Sequence, residues 1–490
     1  MRRLLRQYRL ASALLAAAGS ACLAVAPLRA QDPAPARIDE IFAPWNRPGS
    51  PGCALGVLRD GRFVYQRGYG EANLDYGIAN GPGIVYYVGS VSKQFTAAAV
   101  ALLAQEGRIG LDDDVRRWFP ELPDYGRPIT IRQLIHHTSG LRDIYTLMEL
   151  AGLRLEDVFP DSEAMALIAR QREPNFPPGT DYLYSNSGYF LLGQLVRRVT
   201  GQSLREYAAA RIFQPLGMSS THFHDQPWTV VRDRAVSYQP DGSGFRISYL
   251  ANFDKAGAGG LYTTLADLAK WDANFYRPEV GGEALLKTLL TRGVLANGVM
   301  LDYAFGLTLG RLLGRPIVRH GGAMMGFRAD LLRFPAERTT IMTLCNLGTI
   351  DPGALADRVA ALYLRDLDLH PVAAGDAPPA PAGTAGPGVP EAPARAGAGE
   401  AKQEFAGRYR SDELAAVWDV AWRSDTLWLT RRLYGTRPLR ALGPDRFAAG
   451  SGHELQFGRD SAGRVTSFTL QAGRVRNIRF ERDPPVPAPH

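Results

Sequence analysis

The chain has 490 residues, 46% of them apolar and 21% charged, enough apolar material for one large domain and a smaller one and unlike a fibrous or globally disordered protein. Its formal charge of +7 falls to +2 once the five arginines of the first thirty residues (Arg2, Arg3, Arg6, Arg9 and Arg29) are set aside, too little for a nucleic-acid footprint. Three cysteines in so long a chain exclude a disulfide framework as the main source of stability.

Residues 1–30 follow the grammar of a signal peptide: a basic MRRLLRQYR, an alanine-rich apolar run over residues 10–28, and Ala30 before a polar QDPAPA segment. The run is nearly as long as a membrane span but is broken by Gly19 and Pro27, and no second apolar segment follows. Cleavage near Ala30 and a periplasmic or secreted location are therefore expected, an uncleaved anchor being the alternative and the one route to a membrane. Cys22 lacks the bulky apolar residue that a lipoprotein signal carries at the place of Gly19.

A hairpin pattern, CALGVLRDGRFVYQRGYG with Asp60-Gly61 at its turn, opens the large domain, which spans residues 31–370. A helix is predicted from Ser90 to about Glu106. Residues 108–290 read as mainly helical, interrupted by loops such as NFPPGT, and strands return over 315–347 as IVRHGG, FRADLLRF and TTIMTLCNLG. A last helix follows in PGALADRVAALYLRDL. Strands at both ends of a helical middle imply one sheet with an inserted helical lobe and a cleft between them. Residues 371–400, rich in Pro, Gly and Ala, form a linker. Residues 401–490 alternate with period two in VWDVAW and LWLT between turns, which suits a small β-barrel or a sandwich.

Ser90-Val91-Ser92-Lys93 puts a hydroxyl and an amine on one helix face, one turn apart. A serine becomes a nucleophile when a neighbour takes its proton, and a lysine does so only where its pKa is depressed. The chain has five lysines against 51 arginines, and Lys93 alone has a serine three positions before it; arginine could not serve as a base. The same tetrapeptide also suits a helix N-cap and a solvated lysine. Tyr184-Ser185-Asn186 stands at a loop-to-helix junction, where a phenol near an ammonium can act as a base and an amide can hold a carbonyl, or where Ser and Asn merely cap the loop. His320-Gly321-Gly322 ends a predicted strand, its glycines permitting close backbone approach. The pair His222 and His224 lacks a third ligand, so no metal is expected.

Together these motifs resemble the serine penicillin-recognising hydrolases, which include class C β-lactamases, low-molecular-weight penicillin-binding proteins, D-aminopeptidases and family VIII-type esterases. The resemblance covers about residues 40–368. ITIRQLIHHTSGL (129–141), GAGGLYTTLADLAKW (257–271) and HGGAMMGFRADLLRFP (320–335) are similar to the same family's text. It implies an α+β fold, an antiparallel sheet flanked by helices with a helical lobe, and residues 401–490 are similar to the lipocalin-like barrel appended to some members.

The resemblance further implies Ser90 as nucleophile, Lys93 and Tyr184 as shared base and acid, and Asn186 as a substrate ligand. The Ser90 and Ala323 backbone N–H groups would form an oxyanion hole, with His320, Gly321 and Gly322 lining the cleft. No cofactor is implied. Many relatives carry Lys-Thr-Gly at the third motif; an unperturbed His320 is mostly neutral at pH 7, so a substrate carboxylate is expected to be held less well. The expected activity is hydrolysis of an ester or peptide amide, D-configured ones included. The alternatives are a true β-lactamase and a non-catalytic peptide- or peptidoglycan-binding protein. The family fold would place Cys53 and Cys345 side by side, with buried free thiols the expected state and a disulfide the alternative.

Overall fold

A computed structural model of the chain describes residues 35–248, 255–364, 400–450 and 452–484. The expected signal segment with Cys22, and the linker up to residue 399, lie outside the described residues. Among those described, no helix is long and apolar enough to cross a membrane.

The opening hairpin forms as its sequence predicts. Asp60 and Gly61 both take positive φ, 51° and 75°, the conformation that lets a two-residue turn follow the twist of its strands, Cys53–Arg59 and Arg62–Tyr69. Four later strands extend this hairpin into one antiparallel six-stranded sheet. Its order is Thr308–Leu312, Arg315–Met324, Phe327–Phe334, Thr339–Cys345, Cys53–Arg59 and Arg62–Tyr69. The two ends of the domain thus meet where Cys53–Arg59 pairs with Thr339–Cys345.

Strand periodicity sorts the side chains into two cores. Cys53, Leu55 and Val57 join Phe42, Val359 and Tyr363 under the terminal helices Pro35–Phe42 and Pro352–Leu364. Ala54 and Leu58 face the other way, into the core shared with the helices Lys93–Gln105 and Leu265–Asn274. Lys93–Gln105 is buried on nearly every side, so it holds whatever it carries against a rigid surround.

The expectation of free thiols is corrected: Cys53 and Cys345 form a disulfide. They are 292 residues apart in sequence but directly opposite in the strand ladder, with Cα atoms 4.0 Å apart and both side chains fully buried. Register places them on the same face of the sheet, and residue counting cannot reveal register between strands so distant in sequence.

The reading of 108–290 as mainly helical is corrected: its helices include Ile131–Ile135, Ile144–Leu150, Asp161–Ala169 and Asn186–Thr200, but most of its described residues lie in the loops and turns between them. The region also holds short strands that the helical reading passed over: Leu261–Thr263 lies between Tyr86–Tyr87 and His222–Phe223, and Tyr238–Asp241 pairs with Gly244–Ile247. Runs of two to four residues are too short to display a period of two.

Between barrel and sandwich, the C-terminal strands form a barrel. Eight antiparallel strands from Gly407–Ser411 to Val475–Arg482 close on themselves through the pairing of first with last. Tyr409, Trp418, Phe457, Phe468 and Phe480 fill its interior in tilted, edge-on and stacked contacts.

The barrel docks on the helical lobe through a buried ion pair. Arg142 Nη1 donates to Glu413 Oε1 at 2.5 Å, with side chains 1% and 6% exposed, and also to Gln171 Oε1 at 3.0 Å. Its remaining donors reach the carbonyls of Arg476 and Asn477, both at 2.9 Å. Trp418 Nε1 and Tyr434 Oη donate to the Leu150 and Leu153 carbonyls at 3.3 and 2.8 Å.

Removing one partner of a buried pair strands the other charge. Glu413→Ala should therefore cost about 3–5 kcal/mol in a denaturant titration, whereas Asp412→Ala, which breaks the exposed pair with Arg172, should leave the midpoint almost unmoved. Equal effects of the two substitutions would contradict this reading of the interface. Proteolysis of the unreduced protein should give a single linked peptide joining Cys53 to Cys345, lost on reduction, and two free-thiol peptides would refute the bridge.

Candidate active site

Gly89, with φ of 52°, turns the chain out of the strand Tyr86–Tyr87 into a short 3-10 turn, Gly89–Ser92, that runs directly into the helix Lys93–Gln105. Ser92 locks this turn: its hydroxyl donates to the Gly89 carbonyl at 2.5 Å and accepts from Leu261 N at 3.2 Å. Ser90 is left partly exposed at the cleft while Lys93, one turn on, is fully buried. Lys93 Nζ lies 3.1 Å from Ser90 Oγ, 2.9 Å from Asn186 Oδ1 and 2.5 Å from the Ala258 carbonyl.

Asn186 opens the helix Asn186–Thr200, and Asp143 fixes its orientation. Asp143 caps the helix Ile144–Leu150, its Oδ1 accepting from Tyr145 N and Thr146 N, both at 3.1 Å. Its Oδ2 accepts from Asn186 N at 2.7 Å and from Asn186 Nδ2 at 2.8 Å. The amide nitrogen is thereby committed to Asp143, and the amide oxygen must face Lys93.

Tyr184 leans over the same amine, with Lys93 Nζ 4.9 Å from its ring centroid. Its Oη is buried without a hydrogen bond of normal geometry. Burial pushes the phenol well above its ordinary pKa, tempered by the nearby Ser90 hydroxyl. His137 packs against Tyr184 in a tilted contact, with ring centroids 4.1 Å apart. Its Nδ1 accepts from Ser185 N at 3.1 Å, and burial, with Lys93 next in effect, keeps the ring neutral.

The third motif lies within the strand Arg315–Met324, which continues two residues past Gly322 rather than ending at it. A β-carbon on Gly322 would stand 2.0 Å from the Val88 carbonyl oxygen and 3.0 Å from Ser90 N, so only glycine allows the strand this close to the turn that carries Ser90. Gly321 has no such need, its imagined β-carbon meeting neighbours at an ordinary 3.7 Å. Gly89 is tight from the other side: a β-carbon there would lie 2.8 Å from Ala323 N. The Ser90 and Ala323 segments therefore run side by side at the cleft, as an oxyanion hole requires.

His320 Nδ1 lies 2.6 Å from the Gly321 carbonyl, which can only accept, so Nδ1 carries the proton and Nε2, 3.1 Å away, accepts from Tyr303 Oη. Burial, with Lys93 next in effect, pulls His320 down to about 4, so it is uncharged at neutral pH.

The cleft nevertheless receives a permanent cation from the barrel. Arg474 extends its guanidinium over Tyr184, 4.7 Å from the ring centroid, with Nη1 4.0 Å from Asp143 Oδ2. Burial depresses the Lys93 pKa well below that of a free lysine, and Arg474 depresses it further, against an opposing pull from Asp143.

Ser90, Lys93, Tyr184, Asn186 and the segment from His320 to Ala323 thus lie together. Sequence reading missed Asp143, Tyr303 and Arg474, and gave His137 no role beyond its place in ITIRQLIHHTSGL. Asp143 did leave a signal, since an aspartate before an apolar helical run marks an N-cap. His222 and His224, left without a third ligand in the sequence, contact each other at 3.3 Å. Among the described residues no group of three or more His, Cys, Asp or Glu is placed to hold a metal ion.

Comparison with known proteins agrees with this architecture. A Brucella canis protein named D-aminopeptidase is 28% identical over 516 aligned residues, which cover 90% of this chain and 97% of that one. An octameric penicillin-binding protein homologue from Pyrococcus abyssi superposes with a TM-score of 0.59 at 21% identity, covering 91% of this chain and 98% of its own. The D-amino acid amidase of Ochrobactrum anthropi SV3 superposes at 0.57 and 21% identity, covering 68% of this chain and 99% of its own. The two structural likenesses speak for the fold alone. Residues 37–366, well over half of the chain, match the Beta-lactamase family, and the chain belongs to that family of serine hydrolases.

Proposed function

We propose that the protein is an exported amide hydrolase, acting on D-configured substrates and also on esters, that works through an acyl group on Ser90. The observation that carries this reading is the contact of Ser90 Oγ with a buried lysine amine whose other partners are fixed acceptors. A neutral amine has two N–H groups and one lone pair. Asn186 Oδ1 and the Ala258 carbonyl can only accept, so they take the two N–H groups and leave the lone pair for the Ser90 proton.

As Lys93 takes that proton, Ser90 Oγ attacks the substrate carbonyl carbon, and the resulting oxyanion is met by the Ser90 and Ala323 N–H groups. Tyr184, held protonated by its burial, relays the proton to the leaving nitrogen; the C–N bond breaks and the acyl group stays on Ser90. Water then attacks the ester by the reverse proton path and releases the acid. The Brucella canis relative named D-aminopeptidase supports amide bonds and D-configuration. The Cys53–Cys345 disulfide supports export, since such bonds persist in oxidising compartments.

Intact-mass analysis after treatment with a fluorophosphonate should show one adduct on the wild type and none on Ser90→Ala. An adduct that survives the substitution, or a wild type that never reacts, would overturn the assignment.

A further inference from the structure

The last two barrel strands, Val465–Ala472 and Val475–Arg482, are joined by the two-residue turn Gly473-Arg474, with Ala472 paired to Val475 and Gly473 at φ of 53°. A turn so tight projects its second side chain beyond the barrel. This tip is clamped to the lobe by main-chain contacts: Asn175 Nδ2 donates to the Arg474 carbonyl at 2.9 Å and Asn175 Oδ1 accepts from Arg476 N at 2.7 Å. Asp143 N donates to the same carbonyl at 3.4 Å. The Arg474 side chain is therefore aimed into the cleft by bonds in which it takes no part.

The Arg474 side chain is 32% exposed, and its guanidinium stands over the ring of Tyr184. Asp143 is the carboxylate nearest to it, at 4.0 Å, and Asp143 is already saturated: both its oxygens accept hydrogen bonds from Tyr145, Thr146 and Asn186. Asp181, on the rim, pairs with Arg476 at 3.5 Å. The cleft thus offers an anion a planar, hydrogen-bonding cation, while its nearest buried carboxylate has no oxygen to spare for a substrate ammonium. His320 and His137 add no charge.

We infer that Arg474 is a specificity-determining residue that binds a carboxylate on the leaving-group side of the scissile bond, so the enzyme favours amides whose departing half is anionic. The side follows from Tyr184, which gives its proton to the leaving nitrogen and over whose ring Arg474 sits. The assignment rests on the serine-hydrolase reading of the site. It departs from the expectation that substrate carboxylates are held less well beside a neutral His320, because here the cation comes from the other domain.

The test uses two matched substrates, an acetylated D-amino acid joined to glycine and the same acid joined to glycinamide, which differ in the carboxylate. The full-length mature protein should show kcat/KM at least about tenfold higher for the glycine compound. Arg474→Gln, which keeps every main-chain clamp, should collapse that ratio toward one, and Arg474→Lys should retain part of it. A wild type indifferent to the carboxylate, or a ratio unchanged in Arg474→Gln, would overturn the assignment. Fluorophosphonate labelling of the same preparations separates the two levels. A Ser90 that labels without discriminating refutes the role of Arg474, whereas a Ser90 that never labels refutes the hydrolase reading beneath it.

Discussion

An amine taken wholly out of water favours its neutral form, because burial penalises the charge far more than hydrogen bonds to neutral groups repay it. Lys93 is in that position: fully buried, in ion-pair contact with no carboxylate among the described residues, and facing two oxygens that only accept. The rest of the cleft follows from keeping that amine dry and correctly aimed. Arginine could not take its place, since a guanidinium stays protonated and would bring a fixed charge where a base is needed. The packing that hides the amine also raises the Tyr184 pKa and lowers those of His137 and His320, so Ser90 stands among an amine of depressed pKa, a protonated phenol and two neutral imidazoles.

Two adjacent residues couple this chemistry to the architecture. Arg142 turns its side chain toward the barrel, to Glu413 and to the carbonyls of Arg476 and Asn477. Asp143 turns toward the cleft and orients Asn186, while the Arg142 carbonyl accepts from Ser187 Oγ at 2.5 Å. The segment that seats the barrel is thus also the segment that sets the amide facing Lys93. The barrel in turn delivers Arg474, and with it part of the force that depresses the Lys93 pKa. Loosening the interface would therefore disturb the Lys93 amine as well as the cation at the cleft mouth.

Much of this was legible in the sequence because it is local. The Asp60-Gly61 turn, the serine and lysine one helical turn apart, the junction at Tyr184 and Asn186, and the strand with His320 and its glycines each depend on a few consecutive residues. The resemblance to a known family joined these pieces into one site. What escaped depends on contacts between distant segments. The disulfide needs the register of two strands 292 residues apart. Arg474 sits in an Ala-Gly-Arg-Val stretch that reads as a surface turn, and only the docking of the barrel reveals where the turn points. The helical reading of 108–290 likewise passed over strands that exist because their partners lie elsewhere in the chain.

The central claim is that neutral Lys93 is the base for Ser90, and the pH dependence of fluorophosphonate labelling tests it most directly. The base works only when deprotonated, so labelling is lost as pH falls through its pKa and recovered as pH rises. Because burial and Arg474 place that pKa well below the free-lysine value of 10.5, the rising limb should be centred well below 10.5 and should vanish in Lys93→Arg. A limb centred above 10, in the range to which burial drives Tyr184, or a Lys93→Arg protein that labels at the wild-type rate, would contradict the account.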